Sequence, residues 1–201
     1  MNRIFDIIFP FHANCKANAI IKSRMSPNDE IEESIIHSGV LQRVDCPDNI
    51  RNEVLEELYE QTFKTKDKLE DKAKSNVMGI TISVSLIVGS TKLLSYVNSE
   101  AERLSIIILL IISVFYMIVS GWLVIHMLID ENETYIIKLN SLAEGGDSLR
   151  ADYDQCILLN QYKNLIRNNY LFASYACIRN ALISLFIMFL LIVISINKIN
   201  A

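Results

Sequence analysis

The sequence predicts an all-α integral membrane protein with three transmembrane helices and a helical cytoplasmic region. Three observations carry this. Apolar residues make up 51% of the 201 positions, yet they are gathered into long blocks with the charges before and between them. Six glycines and three prolines leave long helices unbroken. The run "KTKDKLEDKAKSN" places five lysines immediately before the first block, which marks the cytoplasmic side of a span. A net charge of −4 has the wrong sign for nucleic-acid binding as the main task.

Residues 1–75 form the first cytoplasmic region. Asp6 and Pro10 interrupt the N-terminal apolar patch, so it does not make a signal-peptide core. Ile4, Phe5, Ile7, Ile8, Phe9 and Phe11 are expected either in the membrane interface or packed on the cytoplasmic region. Ser26, Pro27 and Asp29 make a helix start, and Gly39 a helix end. A second helix starts near Asp45–Asp48 and runs on to the membrane along Ile50, Val54, Leu55, Leu58, Tyr59 and Leu69.

Residues 76–130 form a transmembrane hairpin. Its spans are Asn76–Val97, about 33 Å as a helix, and Leu104–Ile129. The turn between them carries little positive charge and faces outward. Residues 131–178 return to the cytoplasm, with the helix of the second span continuing until Gly145-Gly146 breaks it. Beyond the break, Leu158, Tyr162, Leu165, Asn169, Phe172 and Ala176 make a coiled-coil-like seam. Residues 179–201 hold the third span, with Arg179 snorkelling to the cytoplasmic headgroups. The N-terminus is then inside and the C-terminus outside.

Within the spans, Thr81, Ser85 and Gly89 share one helix face, and Ser113, Tyr116 and Ser120 share another. Small residues at this spacing let helices approach closely where no hydrophobic effect drives association. The alternative use of the same faces is to line an aqueous path in an oligomer. His126 sits one turn before Asp130, a pair expected to anchor the cytoplasmic edge. Tyr96 reads as an interfacial belt residue and Trp122 as a packing residue.

Catalysis finds no support in G-x-S-x-G, H-E-x-x-H or a glycine-rich phosphate loop, so a non-enzyme is expected. Cys15, Cys46, Cys156 and Cys177 lie in or beside cytoplasmic segments, where thiols stay reduced. His12 and Cys15 have a ligand spacing but lack two further ligands, so neither metal nor cofactor is expected.

The stretches "LEDKAKSNVMGITISVSLIVG" and "NNYLFASYACIRNALISLFIM" resemble the span entries of small multi-span membrane effectors of bacterial anti-phage defence systems. The third span departs from the two-span pattern of those found beside nucleotide-signalling enzymes. The resemblance implies a homo-oligomer of the bacterial inner membrane that disturbs the bilayer when a soluble partner protein or small signal engages its cytoplasmic helices. A membrane-anchored scaffold recruiting a soluble partner is the other function the sequence allows.

Overall fold

The computed structural model describes residues 3–25, 52–97, 99–129 and 131–200, and every described element is helical. The helices are α1 (Arg3–Ile8), α2 (Pro10–Arg24), α3 (Asn52–Thr91), α4 (Glu100–Ile129), α5 (Leu139–Glu144) and α6 (Gly146–Asn200), with a 3-10 turn at Lys92–Tyr96. The helix start and end expected at Ser26, Asp29 and Gly39, and the caps at Asp45–Asp48, lie outside the described residues.

Among the described residues, two helices are long and apolar enough to cross a membrane, Glu100–Ile129 and the Gly146–Ile196 part of α6. Only 28% and 33% of their most apolar windows are buried within the chain, so their outward faces carry large aliphatic side chains. The stretch expected as the first span is α-helical as far as Thr91 and then tightens into the 3-10 turn.

Two other expectations change. The helix of the second span ends at Ile129 and does not continue to the glycine pair. An extended strap, residues 131–138, follows it and leads into the short α5. The glycine pair does break the chain, between α5 and α6, with φ of 66° at Gly145 and 59° at Gly146. Both values lie in the left-handed region, where a Cβ is disfavoured. The seam segment and the third span are not separate elements, because α6 carries both in a single helix of 55 residues.

The chain forms two compact units. The first comprises Met1–Asn14, Lys72–Leu128 and Tyr170–Ala201. In it α4 and α6 run antiparallel, as successive contacts show. Ser184 Oγ donates to the Leu109 carbonyl (2.9 Å), Ser113 Oγ to the Ala181 carbonyl (3.3 Å), and Ser120 Oγ lies 2.6 Å from Ser174 Oγ. The N-terminal patch packs here, against the apolar helices. Pro10 lacks an N–H and restricts Phe9, so α1 stops at Ile8. Tyr116 donates to the freed Ile8 carbonyl (2.8 Å) and Asn180 to that of Ile7 (2.9 Å).

The second unit comprises Cys15–Asp71 and Ile129–Asn169. There α3 and α6 run parallel. Tyr59 packs edge-on to Tyr153, and one turn later Thr62 receives hydrogen bonds from Asn160 and Asn164.

Candidate functional site

The densest polar site is in the second unit, where side chains hold the strap of residues 131–138. A strap without sheet or helix partners leaves its backbone groups to be satisfied by side chains. Arg167, 1% exposed, satisfies two of these groups. Its Nε donates to the Glu131 carbonyl at 2.7 Å, its Nη2 to the Glu133 carbonyl at 2.6 Å, and its Nη1 to Asn164 Oδ1 at 2.6 Å. Asn160, also 1% exposed, acts as a strand partner to one residue. Its Oδ1 accepts from the Tyr135 N–H at 2.8 Å and its Nδ2 donates to the Tyr135 carbonyl at 3.0 Å. From α3, Tyr59 donates to the same carbonyl and Lys66 to the Asn132 carbonyl and the Thr134 hydroxyl.

Charge is matched at the strap's first residue. The Glu131 carboxylate is buried and pairs with Lys22 of α2 and with Lys163 of α6, the latter at 3.3 Å. Burial alone would raise its pKa, but the two ammonium groups outweigh it and hold the carboxyl below its ordinary value. Burial lowers the Arg167 pKa, with Glu70 and Glu131 opposing. At the far end, Asp152 accepts from Ser141 Oγ (2.6 Å) and from the Lys138 N–H (3.2 Å) at the start of α5. These bonds lower the Asp152 pKa, the Ser141 hydroxyl contributing most.

The seam expected along α6 is displaced. Tyr162 and Ala176 are buried, but Leu158, Leu165 and Asn169 are only half-buried and Phe172 is 70% exposed. The buried line runs instead through Cys156, Asn160, Lys163, Arg167, Tyr170, Ser174, Cys177, Ala181, Ser184 and Met188. Its spacing alternates four and three like a heptad seam, but polar side chains occupy many of its positions. An apolar-only search for the seam passes over it. Asn169 keeps a role, donating to Asn18 Oδ1 at 2.9 Å.

The small and polar residues expected within the spans divide into two groups. Ser113, Tyr116 and Ser120 are buried and bonded within the first unit, where Asn76 also reaches Ser174 Oγ at 2.6 Å. Thr81, Ser85 and Gly89 are exposed, and the space where a Gly89 Cβ would sit is open. Their hydroxyls bond the helix's own carbonyls, Thr81 to Val77 and Ser85 to Thr81. Such a face carries little unmet polarity and needs no water to cover it.

The expected edge-anchor pair is described only in part. Asp130 and the Tyr96 side chain lie outside the described residues, and His126 meets Tyr170 (ring centroids 4.8 Å apart) and Trp122 (5.4 Å). Trp122, expected as a packing residue, is 54% exposed within the chain. Arg179 is exposed, with its guanidinium 3.3–3.4 Å from Asn180 Oδ1. Among the described residues no three His, Cys, Asp or Glu side chains converge as a metal site would require. No protein-family model, no curated protein and no solved structure matches the chain.

Proposed function

We propose that this is a three-span protein of the bacterial inner membrane, N-terminus inside, that assembles with copies of itself and perturbs the bilayer when its cytoplasmic helices are triggered. Asn76–Val97 would serve as the first span beside the two long apolar helices. Anti-phage defence is the setting that the span-entry resemblance suggests. The observation that carries the proposal is the clamped strap. A buried ion cluster is costly to assemble compared with an apolar core, and its best-attested use is to specify one arrangement or to switch between two. Here it fixes the segment that directly follows the second span in the chain. Releasing Glu131 and Glu133 from Lys163 and Arg167 is the switching step this reading requires. The open Thr81–Ser85–Gly89 face supports self-association over a single-chain role, because the other small-residue face is already occupied within the chain.

The test is membrane potential, followed with a voltage-sensitive dye in bacteria making the protein alone and beside its genomic neighbours. Depolarisation on triggering that is lost in Ser85→Leu together with self-association, while the protein stays in the membrane, supports the effector. A constant potential in every condition, with the protein in the membrane, rejects it.

One observation favours the scaffold instead. Ile136, Leu139 and Leu142 of the strap and α5 are 72%, 82% and 51% exposed and lie outside every expected span. Apolar patches of this kind mark partner sites. In the scaffold reading, Leu139→Glu abolishes recruitment of a soluble protein and Ser85→Leu leaves it intact.

A further inference from the structure

The outward face of α6 in the first unit holds an open groove of about 420 Å³ lined by Tyr175, Ile178, Arg179, Leu182, Ile183 and Phe186. Its composition is lopsided. One end carries a guanidinium, and the rest is aliphatic and aromatic wall, with Leu182, Ile183 and Phe186 44%, 52% and 64% exposed. Arg179 touches only the neutral Asn180 Oδ1, and its remaining N–H groups have no partner among the described residues.

Among the described residues, the first unit offers that cation no paired anion. No Asp or Glu occurs from Lys72 to Ser99, from Arg103 to Ile129, or from Gln155 to the C-terminus. Asp6, the remaining acid of the α1 segment in this unit, makes no ion pair with Arg179. An unpaired arginine beside an apolar wall therefore calls for an external anion attached to a hydrocarbon chain.

We infer that Arg179 and the groove below it bind an anionic phospholipid. The phosphate takes the guanidinium fork, and an acyl chain lies along Leu182, Ile183 and Phe186. Guanidinium matches phosphate bidentately and stays charged at any cellular pH. Tyr175 marks the headgroup end, since its hydroxyl reaches the Lys72 carbonyl, 3.4 Å away, at the lysine-rich entry to the first span. A second copy of the chain is the poorer occupant. Helix interfaces in lipid use small side chains, whereas this wall is built of large ones. A two-fold contact would also bring like-charged Arg179 side chains together with no acid to separate them.

The inference rests on the proposed membrane insertion, and the test separates the two. Full-length protein is equilibrated in micelles with equal phosphatidylglycerol and phosphatidylcholine, and the co-purified lipids are quantified by mass spectrometry. Resistance of membrane-bound protein to alkaline carbonate extraction reports insertion. The wild type should retain phosphatidylglycerol in preference. Arg179→Gln should lower that preference about fivefold, the equivalent of one basic residue's attraction to an anionic surface. Arg179→Lys should retain part of it, and Phe186→Ala should lower retention of both lipids. Carbonate-resistant protein that shows no preference, or an Arg179→Gln variant that keeps it, overturns the site and leaves the membrane reading standing. Carbonate-extractable protein overturns both. Efficient disulfide formation between Ile183→Cys copies in the bilayer would place a second copy in the groove and overturn the lipid.

Discussion

Replacing Arg167 with alanine should release the strap, and the size of the effect follows from what the guanidinium holds. Three acceptors lose their donor: the Glu131 and Glu133 carbonyls and Asn164 Oδ1. Each buried acceptor left unmatched costs about 1–3 kcal/mol. Residue 133 is exposed enough for water to reach its carbonyl, so the upper end of the sum is not reached. Breaking one partner out of a buried charge cluster costs about 3–5 kcal/mol, and that range is expected here. Net charge is not the main term, because Glu131 keeps Lys22 and Lys163. Hydrogen exchange at the Tyr135 amide, bonded to Asn160, reads strap opening directly. A change of 3–5 kcal/mol should speed its exchange by about two to four orders of magnitude. Arg167→Lys separates charge from shape, since an ammonium cannot span three acceptors in a plane, and should lose most of the protection too. Wild-type exchange in Arg167→Lys would refute the fork argument, and wild-type exchange in Arg167→Ala would refute the clamp itself.

The Glu131 carboxyl has a folded pKa below the ordinary 4.5, so its contribution is fully present above that value and is lost as pH falls through the lowered one. The thermal midpoint should drop in that acid window, and Glu131→Gln should flatten the drop. Maleimide labelling of the native protein, read by peptide mapping, should modify exposed Cys15 quickly. It should leave Cys156 until denaturation, because burial both shields that thiol and raises its pKa. Ser120→Ala should cost only about 0.6 kcal/mol, the usual worth of a hydrogen bond between membrane helices. Ser120→Leu forces α4 and α6 apart and should cost about 1–3 kcal/mol by thermal unfolding in detergent.

What the sequence discloses here depends on which residues carry the signal. Lysine runs, apolar blocks and the glycine pair speak through composition, so the helical class and the break before α6 are legible directly. The strap is not. "DENETYII" follows an apolar helix without a proline or glycine to stop it, and its extended form depends on Asn160, Lys163 and Arg167 some thirty residues later. Propensity cannot register partners that distant. The seam on α6 was masked for a related reason. Its alternating spacing is present in the letters, but a search for apolar residues prefers Leu158, Leu165 and Phe172 to Asn160, Lys163 and Arg167. A search for spacing first and chemistry second would find the clamp.

That seam also changes character along its length, and the change bears on where the proposed membrane boundary falls on α6. At Asn160, Lys163 and Arg167 the buried side chains are long and polar, each with named partners. From Ala173 to Ser184 they are small, with Ser174, Ala176, Cys177, Ala181 and Ser184 buried in turn. In water, burying apolar area drives helices together, and polar residues can be spent on specificity. In hydrocarbon that drive is absent, and close approach by small side chains takes over. One helix obeying the first rule up to Arg167 and the second from Ala173 places the start of the proposed span between them, with the Arg179 backbone about 9 Å further along the helix and its guanidinium snorkelling back towards the headgroups. Hydropathy alone sets the start of the apolar block at Ala181. In the proposed reading the buried face puts the change of environment earlier, which makes the proposed third span long enough within the described helix.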